Sequence, residues 1–431
     1  MKTRHGLPLL AILLLVVVFS ACRRGGRDEP VGILLVSNKI EIDEALRAHA
    51  AIFEAETGIR VAIRTFGGEV PYAPNLSAMF QAGVEPEIFI FEGRTGYDEA
   101  RRSGRITDLS GEPWVRDTDL AYVSGTAIVG FPVAIEGWGL GYNRELLRRA
   151  GVDPATMVNI AGVRAAFEKI EAARDYLGID AVVSMVAGPG MTWVTGLHAV
   201  NAYLTLGLPY YDADRYIDML NSGLVDARRL TYFAEYMDLL FRHSVRDTLL
   251  TGGYYQQLDD FVLGRTVFIH QGNWTDPILA RRGVDFGMGF VPHAFLPETT
   301  DGIFIGAPAF YMVNAKSPNV EQAKKFLRHM TATPEGHYYM VNRAGMVSAF
   351  GSVELRPPGQ FSRAVIEWME SGRRFAWRQN EMPEDFGMDV LGPIFHRLAY
   401  GSIDVAEFVR LFAEAVAAKP SPGLFRHTET D

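Results

Sequence analysis

The chain contains one cysteine among its 431 residues, Cys22. A lone cysteine can build neither a disulfide framework nor a thiolate metal site. The sequence also lacks His-Glu-X-X-His, Gly-X-Ser-X-Gly, a P-loop and a Gly-X-Gly-X-X-Gly that opens a helix. These absences weigh against the common hydrolase and dinucleotide-dependent classes without excluding catalysis. We therefore expect no enzyme activity, no catalytic residue, no metal and no cofactor.

Positively charged residues are fewer than negatively charged ones. The chain has 42 Lys and Arg against 51 Asp and Glu, a formal net charge of -9, which becomes -11 when Lys2 and Arg4 are removed with residues 1–21. This balance argues against nucleic acid or anionic lipid as a partner of the folded part. A hydrophobic content of 48% with 22% charged residues describes a soluble globular protein, and the length suggests two domains.

The N-terminus carries a targeting signal. Lys2 and Arg4 precede an apolar run from Leu9 to Phe19, and Ser20-Ala21-Cys22 follows, which predicts a signal peptide over residues 1–21. Eleven apolar residues would cross only about half of a bilayer core, so a transmembrane helix is disfavoured.

The position of Cys22 resembles a bacterial lipobox, in which the cysteine is lipidated and becomes the mature N-terminus; Phe19 stands where a leucine is usual. The resemblance implies a lipoprotein anchored at the periplasmic or extracytoplasmic face by its N-terminal lipid alone. Residues 22–30 would then form a polar tether. The alternative is a small, core-facing cysteine near a signal-peptidase site.

Continuous apolar runs alternate along the chain with segments in which apolar residues recur at helical spacing. This alternation of strand and helix patterns predicts an α/β fold. Val31 to Val36 fits a buried parallel strand, the apolar residues from Ile42 to Phe53 recur at helical spacing, and Val61 to Phe66 completes a βαβ unit. In such sheets, ligands lie beyond the carboxyl ends of the strands. The polar residues at these ends are Ser37, Asn38, Lys39, Glu92 and Arg94, with Gly67 and Gly68. For Lys39 and Arg94 the alternative is a solvated loop charge.

The stretch from Phe131 to Asp153 predicts a crossing from one lobe into a second. Pro132 lacks a ladder donor and suits a strand start or a sheet edge. Three glycines alternate with large residues, so the backbone can approach another surface closely on one side; they are Gly137, Gly139 and Gly141, between Trp138, Leu140 and Tyr142. Asn143 is suited to cap the helix that follows, and Glu136 lies at the mouth of the ribbon.

The ribbon from Pro132 to Leu147 resembles the crossover of periplasmic sugar-binding proteins of ABC importers, the family 1, maltodextrin-binding-like solute-binding proteins. Further similarity occurs in the same order at Thr57–Val61, Pro86–Ile88, Gly104–Leu109, Gly264–Trp274 and Ser317–Asn319. The resemblance implies a type II periplasmic-binding-protein fold, with two lobes, each a β-sheet flanked by helices, joined by a multi-strand hinge. It also implies a monomeric receptor that captures a sugar or oligosaccharide in the interlobe cleft and delivers it to the transmembrane subunits of an ABC permease.

We assign residues 31–132 and 295–355 to the N-terminal lobe and residues 133–294 and 356–431 to the C-terminal lobe. Three crossings are expected, near Pro132, near Val291-Pro292 and near Pro357-Pro358. Strands at Ile303 to Ile305 and Phe310 to Val313 are expected to return to the first lobe.

The resemblance places ligand contacts on Asn38, Lys39, Glu92 and Arg94. Glu136 and three tryptophans, Trp138, Trp193 and Trp274, complete the predicted site, because pyranose C–H faces stack on indole rings while hydroxyls bind planar polar groups. Trp274 follows a unit that delivers an aromatic ring into the cleft in the family. Any of these tryptophans could instead belong to the core. Trp377 and Phe386 lie where a C-terminal aromatic could wall the cleft.

Other functions remain open at this point. Glu92 and Glu136 could form the acid and nucleophile of a glycosidase, although two carboxylates in a cleft serve equally well as hydroxyl acceptors. Tandem tyrosines at positions 210–211, 254–255 and 338–339 suggest ferric-ion binding as another function. The alternative is that these rings have a packing role. A ligand sensor that feeds a membrane receptor is a further alternative.

Overall fold

The computed structural model describes residues 32–68, 70–92, 97–383 and 385–418. The predicted signal peptide, Cys22, the tether and Arg94 lie outside these ranges. Within them, two six-stranded sheets are each packed against helices, which confirms the α/β class. Among these residues there is no helix of the length and apolarity that a membrane crossing requires.

The strands are β1 (Gly32–Ser37), β2 (Arg60–Thr65), β3 (Ile88–Glu92), β4 (Tyr122–Ser124), β5 (Ala127–Pro132), β6 (Glu136–Asn143), β7 (Ala181–Ser184), β8 (Thr266–Gly272), β9 (Met288–Val291), β10 (Ile303–Gly306), β11 (Ala309–Val313) and β12 (Arg374–Phe375).

The α-helices are α1 (Asp43–Thr57), α2 (Tyr72–Gln81), α3 (Tyr97–Arg102), α4 (Arg144–Arg149), α5 (Ile160–Ala172), α6 (Arg174–Leu177), α7 (Val200–Thr205), α8 (Arg215–Asn221), α9 (Ala227–Arg242), α10 (Arg246–Thr251), α11 (Tyr254–Val262), α12 (Asp276–Arg281), α13 (Val320–Ala332), α14 (Pro334–Tyr338), α15 (Gln360–Glu370), α16 (Gly392–Tyr400) and α17 (Val405–Ala418). Three π-helical turns occupy Val194–Ala199, Tyr339–Arg343 and Phe386–Leu391.

The first sheet has the order β2-β1-β3-β11-β5-β4. β1 pairs in parallel with β2 and β3, whereas β11 runs antiparallel to β3 and β5. The apolar stripe of α1 is buried with this sheet, and Phe53 meets Phe326 of α13 edge to face at 5.1 Å between ring centroids. The parallel arrangement brings the carboxyl ends of β1 and β3 to one edge of the sheet.

The second sheet has the order β12-β10-β6-β8-β7, and β9 also pairs with β6. All eight residues of β6 are buried. A Cβ at Gly137 would lie 2.6 Å from a methyl group of Val365, and one at Gly141 would lie 2.8 Å from the ring of Phe361. Both of those side chains belong to α15. The glycines of the ribbon therefore let α15 pack directly on the sheet.

The chain passes between the two sheets more than once. It leaves β5 of the first sheet at Pro132 and enters β6 of the second at Glu136. It returns between β10 and β11, where Asn380 Nδ2 donates a hydrogen bond to the carbonyl of Pro308 at 2.9 Å. Further along the chain, the backbone N–H of Ser352 donates a hydrogen bond to Asp117, which precedes β4 of the first sheet, and α15 then packs on β6 of the second. The described chain thus leaves the first sheet again between Ser352 and α15.

The expected second crossing near Val291-Pro292 is wrong. β10 does not return to the first lobe, because it pairs antiparallel with β6 and parallel with β12 in the second sheet. The sequence Ile-Phe-Ile-Gly is apolar on both faces, so it fits a buried strand of either sheet. Its pairing partners decide its position, and they lie about 70 to 170 residues away along the chain.

Candidate functional site

A buried lysine joins the two sheets. Lys39 follows β1, and its Nζ lies 2.8 Å from Glu92 Oε1 at the end of β3 and 2.8 Å from Glu136 Oε1 at the start of β6. Lys39 and Glu136 are 8% and 7% exposed. Glu92 is more open, with its side chain 32% exposed. The structure thus brings together three of the residues predicted from the sequence, and Glu136 belongs to the other sheet.

The electrostatics of this triad favour a permanent ammonium. Burial alone would lower the pKa of Lys39, but the surrounding carboxylates, chiefly Glu136 and Glu92, raise it well above its ordinary value. Burial raises the pKa of Glu136, and Lys39 opposes that rise. Because each buried charge has a partner at hydrogen-bond distance, the lysine and the two carboxylates hold one another in fixed positions.

A small cavity adjoins the triad and has walls from both lobes. Its volume is about 20 Å³, which is room for roughly one water molecule. The lining residues are Lys39, Glu41, Ile42, Val133, Ala134, Ile135, Glu136, Asn273, Trp274, Pro277, Ala344, Gly345 and Met346. A pyranose ring is several times larger than this volume, so the walls must separate for a saccharide to enter.

Aromatic rings gather beside the cavity around His198. The imidazole lies 5.0 Å from the ring of Trp274, 5.1 Å from Trp193 and 5.6 Å from Trp377, measured between ring centroids. These three indoles are only partly buried. Trp274 Nε1 donates to Gln271 Oε1 at 2.9 Å, which fixes the orientation of the indole. The predicted residues Trp193 and Trp274 are therefore neighbours in one cluster, with Trp377 as a third member.

Contrary to the prediction, Trp138 does not lie on the cleft wall. It is 0% exposed and does not line the cavity. Its ring stacks on Phe304 at 4.4 Å and also meets His270 and His293, at 5.2 Å and 5.1 Å. These side chains, together with His198 stacked at 5.5 Å, thus enclose the indole, and the core position that the sequence left open is the one observed.

Asn38 and Arg94 complete the predicted set. Asn38 lies between β1 and Lys39, and its side-chain oxygen is buried without a hydrogen-bond partner among the described residues. A Cβ at Gly67 would lie 2.4 Å from the carbonyl oxygen of Asn38, so this loop is held close to the end of β2. Arg94 falls outside the described ranges, and its contact stays a prediction.

Three residues near the site were not predicted from the sequence to contact a saccharide. Glu41 lines the cavity two residues after Lys39, so the rule that pointed to the end of β1 could have included it. Tyr254 begins α11, and its buried hydroxyl has no partner among the described residues. His198 lies in a π-helical turn, a feature that is frequent at functional sites but has no clear sequence signature.

The tandem tyrosines do not converge on one site. The Arg374 guanidinium carbon lies 4.2 Å above the ring of Tyr210, Tyr254 contacts Trp193, and Tyr339 stacks on His49 at 4.5 Å. Within the described part of the chain, no group of three or more His, Cys, Asp or Glu side chains is arranged to hold a metal ion.

Comparison with known proteins gives consistent matches. The melibiose/raffinose/stachyose-binding protein MelE of Bacillus subtilis (strain 168) is 22% identical over 359 residues, which is 80% of each chain. The structure of RafE in complex with raffinose superposes with a TM-score of 0.72 at 16% identity, covering 90% of this chain and 99% of that one. A sugar transporter protein from Bacillus licheniformis in complex with stachyose gives 0.70 at 19% identity, with 89% and 98% covered.

These structural likenesses, at under 25% identity, establish a shared fold and support the two-lobe architecture. The match to a family model establishes more than the fold, because it spans residues 48–365, nearly three quarters of the chain. The model is described as bacterial extracellular solute-binding protein. The family predicted from the sequence is thereby confirmed: the chain belongs to the bacterial extracellular solute-binding proteins.

Proposed function

We propose that the protein captures a sugar or oligosaccharide in the cleft between its lobes and hands it to the transmembrane subunits of an ABC permease. The observation that carries the proposal is the pairing of Lys39 with Glu92 and Glu136 beside partly exposed indoles. Carboxylates accept hydrogen bonds from sugar hydroxyls, and indole faces stack on the C–H faces of a pyranose. The names of MelE and of the stachyose and raffinose complexes support the same ligand class.

Binding without catalysis fits the geometry of the carboxylates. A glycosidase needs the scissile bond between its two carboxyl groups. Here the Lys39 ammonium lies between Glu92 and Glu136, 2.8 Å from an oxygen of each. A substrate bond cannot occupy that space while the ammonium is there. We therefore assign the carboxylates to ligand binding, and incubation with raffinose followed by a reducing-end assay should show no hydrolysis.

Ligand capture would involve a hinge between the lobes. We propose that the first lobe comprises residues 32–132 and 309–353 and the second comprises 136–306 and 360–418, with the connecting segments as the hinge. Because the cavity is smaller than a sugar ring, the lobes must open for entry and close around the ligand. Family membership supports an extracytoplasmic location, where a monomeric receptor can meet both the solute and the permease.

A thermal-shift measurement tests saccharide binding. A ligand at 100 times its dissociation constant should add about 2.7 kcal/mol to the free energy of unfolding. For a protein of this size, that gain corresponds to a rise of roughly 3 °C in melting temperature. We expect such a rise with melibiose, raffinose or stachyose, and none with sorbitol at the same concentration. If oligosaccharides from several linkage classes, each at 10 mM, all leave the melting temperature unchanged, the proposed ligand class is wrong.

The N-terminal cysteine gives a separate prediction. We propose that Cys22, outside the described residues, carries a lipid that anchors the protein, since it follows an apolar run and Ser20-Ala21. Changing Cys22 to Ser should move the protein from the membrane fraction to the soluble extracytoplasmic fraction, while Ser20→Ala should leave it anchored. Detergent partitioning followed by immunoblotting measures both. Retention of the Cys22→Ser protein in the detergent phase would contradict the anchor.

A further inference from the structure

The charged groups around the cavity are unequal in number. Lys39 supplies one positive charge, whereas Glu41, Glu92 and Glu136 supply three carboxylates, so the group has a net charge of -2 when all are ionised. Lys39 already lies at 2.8 Å from two of these carboxylates. Its ammonium is therefore poorly placed to bind an anionic ligand, because a ligand anion would have to compete with two fixed partners.

Glu41 is the one carboxylate of these three that forms no ion pair with Lys39. It belongs to the short helix Ile40–Ile42 and lines the cavity opposite Trp274 and Pro277 of the second lobe. It forms no ion pair within 4 Å with any side chain of the described ranges. Burial raises the pKa of its carboxyl to about 7, Lys39 opposes the rise, and Glu136 adds to it. A cation brought by a ligand would relieve this uncompensated charge.

A second group near Glu41 also lacks a partner. The hydroxyl of Tyr254 has no hydrogen bond among the described residues, although the residue is only 4% exposed. Burial raises the pKa of this phenol well above its ordinary value, and the charge on Glu41 adds to the rise. Its ring lies 6.0 Å from that of Trp193, between ring centroids, in the aromatic cluster beside the cavity. A buried hydroxyl without a partner costs free energy unless a ligand or water completes its hydrogen bonds. This points to a polar ligand beside the indole cluster, next to the cavity that Glu41 lines.

We propose that Glu41 contacts the bound saccharide and makes the cleft prefer saccharides with protonated amino groups to neutral ones, and neutral ones to acidic ones. The inference rests on the proposed function and names the chemical class of its ligand. An ammonium can form a charge-assisted hydrogen bond with the Glu41 carboxylate. The neighbouring indole faces of Trp274 and Trp193 also attract cations, whereas an acidic sugar would add a further negative charge to the group.

Three trisaccharides test this preference. The β-1,4-linked glucosamine trimer and cellotriose differ only in an ammonium or a hydroxyl at each C2, and trigalacturonic acid carries a carboxylate on every ring. Calorimetric titrations at pH 7, where the Glu41 carboxyl is about half ionised, and at low salt would compare the parent with Glu41→Gln, which keeps the size and polarity of the side chain. Glu44→Gln, an exposed position one turn further along, is the matched control. Raffinose is titrated in parallel as a test of saccharide binding itself.

We expect the parent to bind the glucosamine trimer at least tenfold more tightly than cellotriose, with no binding of trigalacturonic acid. Glu41→Gln should abolish that tenfold preference, a change of about 1.4 kcal/mol, while cellotriose or raffinose affinity changes less than threefold. In the parent alone, 0.5 M NaCl should weaken binding of the amino trimer but not of raffinose.

Equal affinities for the amino and neutral trimers, or equal losses for both in Glu41→Gln, would overturn the inference. Binding of raffinose without binding of the amino trimer would also overturn it and leave the proposed function standing. If none of the four saccharides binds, the proposed function fails together with the inference. The salt dependence of the parent decides the matter even when Glu41→Gln does not fold.

Discussion

Replacing Lys39 with methionine is expected to lower the free energy of unfolding by about 3–5 kcal/mol at pH 8, which is roughly 4–6 °C in melting temperature. The reason is that Lys39 neutralises two carboxylates, and one of these, Glu136, is only 7% exposed. Methionine fills a similar volume but leaves both carboxylates without a counterion. Chemical denaturation with urea measures the loss.

The loss should depend on pH. The pKa of Glu136 is already raised by burial, and Lys39 holds it down. Removing Lys39 raises it further, so the folded state then binds a proton more tightly than the unfolded state. A group with a raised pKa in the folded state contributes stability at low pH that is lost as pH rises through that pKa. The difference between Lys39→Met and the parent should therefore be smaller at pH 5 than at pH 8.

Two further variants separate the charge effect from packing. Adding Glu136→Gln to Lys39→Met should recover much of the stability at pH 8, because it removes one uncompensated charge. Lys325→Met, at an exposed position of α13, should change the free energy of unfolding by less than 0.5 kcal/mol, as is usual for surface substitutions. A Lys39→Met protein as stable as the parent at pH 8 would show that the triad does not hold the lobes together as described.

The fold was predictable where one local pattern decided the outcome. The continuous apolar runs at β1 and β3 indicate buried parallel strands, and the polar residues after them then fall at one sheet edge. Lys39 and Glu92 were found in this way. Glu136 was found because glycines alternate with large residues after Pro132, a pattern of a strand that another element approaches closely.

The errors arose where partners distant in sequence decide the outcome. β10 is apolar on both faces, so its sheet is set by pairing with β6 and β12 and not by its own residues. The alternation of Trp138 with glycines does not indicate which side chains cover the indole. Those side chains are Phe304, His270 of β8 and His293. Tyr254 and His198 reach the site through α11 and a π-helical turn whose positions depend on tertiary packing.

Trp274 and Trp138 form a matched pair for the last prediction. Both are indoles of the second lobe, but Trp274 is partly exposed at the cavity and Trp138 is 0% exposed. An indole buries at most about 250 Å², worth roughly 6 kcal/mol at 25 cal/mol per Å². If a bound ligand covers one face of the ring, removal of the indole should cost about a third of this value in binding free energy. Trp274→Ala is therefore expected to weaken saccharide binding by about 2 kcal/mol, or thirtyfold.

Trp138→Ala should behave in the opposite way. Truncation of a core indole opens a cavity and costs about 3–5 kcal/mol of folding free energy. Its folded fraction should retain saccharide affinity within a few fold of the parent, because the ring does not line the cavity. Trp274→Ala should keep its ligand-free melting temperature within a few degrees of the parent. Urea denaturation and calorimetry, with whichever of melibiose, raffinose and stachyose gives the largest thermal shift, measure both quantities. If Trp274→Ala loses stability and keeps affinity while Trp138→Ala does the reverse, the two assignments must be exchanged.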